Sequence, residues 1–156
     1  MRRSAPAQAT GLAVAIELHR VADWRARFDV MIRQSLSRPF DEKTWNCAHF
    51  GAAAVIALCG DEHADAMLAA VGSQSYSLDL SGDDLQIQQR ISSVLGPAMQ
   101  NRALARLGDI AVGYIGRRRR QPLGIGVIVG PRAAFVSLQG LRYYPRQVIG
   151  QAWGVG

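Results

Sequence analysis

The apolar positions of this chain change their period once. In "VADWRARFDVMIRQSL", Val21, Trp24, Phe28, Met31 and Ile32 recur at helical spacing, while Arg25, Arg27 and Arg33 fall mostly elsewhere on the wheel. This predicts an amphipathic helix that stops before Pro39. The next run, Cys47 to Cys59 ("CAHFGAAAVIALC"), is apolar nearly all round and rich in alanine, the pattern of a buried central helix. Asn46 is a good N-cap for it and Gly60 its C-terminal stop. "DEHADAMLAAVG" reads as a short third helix ending at Gly72. "DDLQIQQRISSVLGP" reads as a fourth, with Leu85, Ile91, Val94 and Leu95 inward and Gly96-Pro97 closing it.

From Gly108 the pattern turns to short β-type runs, "GDIAVGYIG" and "LGIGVIVG", separated by the basic turn "RRRRQP". "AAFVSL" and "LRYYP" follow, split by Gln139-Gly140, and Ala152-Trp153 is the last apolar pair. Runs at this spacing with turn residues between them predict an antiparallel meander. Helices first and sheet second make the fold class α+β. Residues 1–20 read as an N-terminal extension and 21–156 as one domain, large enough to bury a core.

Charge adds the possibility of acidic partners: the formal net charge is +6, carried largely by arginine, with one block at Arg117, Arg118, Arg119 and Arg120. Between two strands this block predicts an exposed hairpin tip. Three readings stand: a merely solvated tip, a contact with an acidic protein surface, or nucleic acid. The last is the weakest, because few aromatics interleave with the block. Two cysteines cannot make a disulfide framework; on one helix Cys47 and Cys59 would lie about 18 Å apart along the axis, beyond disulfide reach. Reduced thiols suggest folding in a cytoplasm. The start, "MRRSAPAQATGLAVAIELHR", imitates a signal peptide, but Glu17 interrupts the apolar run and no clear cleavage site follows. No stretch is long enough to span a membrane.

The candidate chemistry centres on Cys47. In the first turn of a helix, the dipole and free N–H groups favour a thiolate. A nucleophilic cysteine also needs a base within hydrogen-bond reach. His49 is two residues on, about 200° round the same helix, and neighbours at that spacing do not face each other. His63 lies past the far end, about 20 Å away by helical rise. His19, before the first helix, is the remaining candidate base. Against the nucleophile stands the plainer reading of Cys47 as a small apolar residue at a helix start, with metal or redox roles as further alternatives. Cys59 reads as core packing, His49 as a core or boundary histidine, and Asp109 as a strand-leading residue that bonds turn amides. No zinc-ligand spacing or other cofactor motif is present. The glycines at 124, 126 and 130 lack the strand-to-helix context of a dinucleotide site.

Taken in order, "DWRARF", "RPF", "WNCAHFGAAAVIALCG", "LGDIAV", "GIGVIVG" and "AAFVSLQGL", over roughly residues 21 to 153, the chain resembles the NlpC-type papain-like peptidases. The closer likeness is to a phage- and prophage-borne branch encoded among tail genes. The resemblance implies a papain-like fold with N-terminal helices on a small antiparallel meander or barrel, a cysteine nucleophile matching Cys47, a histidine at the position of Gly124, and a third polar residue near Ser137. Glycine carries no proton. The resemblance therefore implies a non-catalytic module, a structural or assembly component of a phage tail near its tip, made in the host cytoplasm and carried in the virion. Its partners would be tail hub and tip proteins, with Arg117 to Arg120 docking on an acidic face. The alternative is an active cysteine hydrolase that cuts peptidoglycan peptide or amide bonds with Cys47 as nucleophile.

Overall fold

The structure is a computed structural model and describes residues 15–72, 84–116 and 121–156. Four helices precede a five-stranded sheet, an α+β arrangement. Helix α1, Trp24–Ser35, buries Phe28, Met31 and Ser35. Of the expected stripe, Trp24 and Ile32 are partly buried and pack against the core. Trp24 sits at the boundary, with the guanidinium carbons of Arg20 and Arg25 at 4.4 and 4.8 Å from its ring centroid.

Helix α2, Cys47–Cys59, has the predicted limits, and the N–H of Gly60 bonds the Ile56 carbonyl to close it. Its alanines let neighbours approach closely on several sides; Phe50, Ala54 and Leu58 are wholly buried. The expected third helix begins as a 3-10 turn, Asp61–His63, and continues as α3, Ala64–Val71. Helix α4 is Asp84–Leu95, with Ile91 buried and Val94 and Leu95 packed on the core. The inward position expected for Leu85 lies outside the described side chains.

The strands are β1, Ile110–Ile115; β2, Gln121–Ile128; β3, Arg132–Ser137; β4, Gly140–Pro145; and β5, Ile149–Trp153. Their order is β4-β3-β2-β1-β5, and every pairing is antiparallel. The meander was expected, but the return of Ala152-Trp153 as a strand beside β1 was not. Both outer edges carry a covering bond: Leu141 of β4 donates to the Leu36 carbonyl at 3.0 Å, and Met99 donates to Ala152 of β5 at 2.8 Å.

Strand alternation gives the sheet two apolar faces. Ile110, Val112, Ile125, Val127, Ala134 and Val136 meet the helices, while Ala111, Ile128, Ala133, Phe135, Ile149 and Ala152 form a smaller core behind. There the Phe135 ring lies over Gly113 and Gly126, where a Cβ would collide with it. The packed body also begins earlier than expected. Ile16 and Leu18 pack against the core, and the Ile16 N–H bonds the Val94 carbonyl at 2.9 Å.

Candidate functional site

The short approach to α2 is locked by its own main chain. Asp41 and Trp45 exchange two backbone bonds of 2.9 Å, and the Asp41 carboxylate accepts from the amides of Lys43 and Thr44. Those amide donors hold the carboxyl of Asp41 below its ordinary range. Trp45 is buried, edge-on to Phe50, with the Arg38 guanidinium 4.0 Å from its ring centroid. Asn46, wholly buried, caps α2: its Oδ1 accepts from the amides of Ala48 and His49 at 3.0 and 3.1 Å, and its Nδ2 donates to the Glu42 carbonyl.

His49 completes a capping box, its Nδ1 accepting from the Asn46 N–H at 3.4 Å. Sequence reading placed it as a core or boundary residue and missed this role, although a side-chain acceptor three positions after an Asn N-cap was the available signal. Burial first, and the Arg38 charge second, push its pKa down, against a smaller pull from Asp41. The ring is thereby held neutral, with Nδ1 facing the cap.

Cys47 follows the cap and is buried. Burial pushes its thiol pKa up, opposed by hydrogen bonds from the backbone of Ile125, Ala48 and Cys47 itself. The Ile125 contact has a geometric origin. Ile128 directs its N–H and C=O to Asp109 and Gly108, on the β1 side, so Ile125, three residues earlier, faces the β3 side. Pairing of β2 with β3 stops at Gly126 opposite Phe135, which leaves the Ile125 amide without a β3 partner, and that amide is the largest influence opposing the rise at Cys47. Gly124, the residue that the resemblance sets at the histidine position, is the immediate neighbour of Ile125. It adopts a φ of 81°.

No hydrogen bond joins any of the three histidines to Cys47 among the described residues. His49 faces the cap. His63 lies beyond the far end of α2, beside Glu62. His19, the remaining candidate, lies toward the other end of α2. Its side chain is 80% exposed beside Glu17, and two residues on the Val21 N–H bonds the Leu58 carbonyl, at the end of α2 opposite Cys47. Ser137 donates to the Gly140 carbonyl and accepts from the Gln139 amide, so it locks the β3–β4 turn.

A second cluster was half legible. Asp109 bonds the Arg106 amide, as expected of a strand-leading aspartate, but it also accepts from the Val155 amide and from Arg20 Nη2, both at 3.0 Å. Arg20 reaches the Val155 and Leu107 carbonyls as well, at 2.8 Å each. A pairing across 89 residues leaves no local pattern to read. Cys59 is buried near this guanidinium; burial raises its thiol pKa and Arg20 opposes the rise.

A protein-family model, described as a domain of unknown function (DUF6950), matches residues 19–155. The chain belongs to this family. The match takes in Cys47, the Asn46 cap and the whole of the Arg20–Asp109 cluster. No curated protein matches the chain, and no solved structure matches it. Among the described residues no three His, Cys, Asp or Glu side chains gather as a metal site, and no helix is long and apolar enough to cross a membrane. The Arg117 to Arg120 block joins β1 to β2, whose ends pair at Ile115 and Gln121. The hairpin tip expected of the block itself lies outside the described residues.

Proposed function

We propose that this chain is a non-catalytic papain-like module of the NlpC type, a structural or assembly part of a phage tail near its tip. The observation that carries the loss of catalysis is the state of Cys47: a buried thiol, kept protonated, with no histidine beside it. A thiol of that kind is a poor nucleophile at neutral pH. The tail assignment rests on the resemblance of the helix-then-sheet order and of "WNCAHFGAAAVIALCG" to the tail-gene branch. In this reading the module travels in the virion, and Arg117 to Arg120 meet an acidic face of a neighbouring tail protein. Exposed ion pairs contribute about 0–1 kcal/mol each, so the block steers and registers assembly more than it holds it.

Two measurements test this. Purified protein is incubated with labelled peptidoglycan, with and without a thiol-alkylating reagent; the expected result is no release in either. Alkylation-sensitive release would overturn the proposal in favour of the active hydrolase, whose support is the Asn46-capped helix start beneath Cys47. Independently, particles bearing Arg117, Arg118, Arg119 and Arg120 all changed to Ser should incorporate the protein less well, in a salt-sensitive way. Normal incorporation at all salt concentrations would sink the partner assignment, and absence of the wild-type protein from particles would sink the tail assignment.

A further inference from the structure

From Ile110 to Gly156 the chain contains seven arginines and no aspartate or glutamate, so the part that builds the sheet is one-signed. Within it the sheet splits. β2 and β3 pair only over Gly126–Ile128 and Ala133–Phe135. Before that, β2 stays with β1, pairing from Gln121 onward; after it, β3 stays with β4 as far as Ser137 opposite Gly140. Between the two branches lies a pocket of about 390 Å³, on the face away from the helices.

Its apolar lining includes Leu123, Phe135 and Tyr144, and Leu138, Gln139 and Arg142 line it as well. Leu138 is 64% exposed. Arg142 stands opposite Phe135 in the β3–β4 register, so it shares the pocket's face and is the charged residue of its lining. The volume is in the range of about 300–1,000 Å³ that ligand sites occupy.

We propose that this pocket receives an acidic, extended peptide segment of a partner protein, with one apolar side chain seated on Leu123 and Tyr144 and a flanking carboxylate on Arg142. Charge complementarity decides the sign of the partner. The cleft between two diverging strands suits an extended chain. Nucleic acid fits less well, because stacking needs an open ring face. Phe135 is 1% exposed, and Tyr144 meets it edge-on at 5.8 Å between centroids.

The test uses the full chain and a fluorescein-labelled decapeptide of alternating glutamate and leucine, followed by anisotropy. Its comparisons are the same peptide with glutamine for glutamate and an oligothymidylate of equal charge. The expected result is saturable binding of the acidic peptide, lost with the glutamine version and weakened about tenfold by Arg142→Glu. Leu138→Asp should weaken it comparably. Both positions are exposed, so circular dichroism should show intact folds. Arg132→Glu makes the same charge change two positions from Ala134, which faces the helices, and should leave affinity within about twofold. Equal losses from Arg142→Glu and Arg132→Glu would reduce the effect to bulk charge and overturn the proposal. So would tighter binding of the oligothymidylate, or no peptide binding at all.

Discussion

At Cys47 two influences oppose each other: the start of α2 favours a thiolate, and burial favours the thiol. Burial is the larger, so the fold prefers the protonated form. Cys59 is shifted the same way, also by burial. In the unfolded chain both thiols ionise above about pH 8.5, whereas the folded chain resists. Their contribution is therefore complete below that pH and falls as pH rises through the folded values. Urea melts at pH 7 and pH 9.5 should show lower stability at the higher pH, and Cys47→Ala with Cys59→Ala should flatten the difference. Native protein should also react with an alkylating reagent far more slowly than unfolded protein. His49 has the opposite sense. Its pKa is depressed, so its contribution is complete above about pH 6.5 and is lost as pH falls below that. Asn46→Ala removes an acceptor for two amides and a donor to Glu42, and should cost about 2 kcal/mol or more by the same melts. A cost near zero would mean that water replaces the cap.

The helices were legible where local chemistry marks their ends. Asn46 and Gly60 fixed α2 to the residue, because a cap and a positive-φ stop act within a few positions. On α1 periodicity found the element and its inner stripe, but not which of its members are fully buried. Phe28 and Met31 are the buried members, and Trp24 packs at the margin. Phe28→Ala should accordingly cost about 3–5 kcal/mol, and Trp24→Ala about 1–2 kcal/mol, mostly contact area and its arginine stacking. Thermal melts of the two variants give the ranking, and equal losses would contradict it. The sheet was legible as four strands with turns. The fifth was not, since "IGQAW" alternates too briefly to announce a partner some forty positions back. The glycines of "GIGVIVG" read from the sequence as places where neighbouring backbone comes close, and at Gly126 the Ala134 carbonyl does, together with a ring the sequence did not announce. Gly126 lies beneath the Phe135 ring, so Gly126→Ala should cost about 1–3 kcal/mol through overpacking. Gly124→His must adopt the residue's left-handed backbone. It should destabilise by about 1–3 kcal/mol.

Across the whole molecule, one ion pair ties together segments that sequence reading kept apart. Residues up to 20 read as an extension, yet Arg20 is the link between the entry to α1, the start of β1 and the segment after β5. Asp109 is fully buried and the Arg20 side chain is 11% exposed, so neither charge is left to water. Burial works against the guanidinium's charge, and Asp109 is the largest influence restoring it. In that setting the pair matters less as net attraction than as mutual necessity, because removing one partner strands the other. Arg20→Met and Asp109→Asn should each cost about 3–5 kcal/mol. The double variant should lose at least about 1 kcal/mol less than the two single losses added together. Asp109→Asn also offers an N–H where the amides of Arg106 and Val155 need an acceptor, so its loss should exceed that of Arg20→Met. Both singles should speed hydrogen exchange at Val155 and Val21 before they affect Phe50 or Leu58, because the clamp holds the periphery onto a core that packs without it. Strict additivity, or exchange that quickens uniformly through α2, would show that Arg20 and Asp109 stabilise the fold separately.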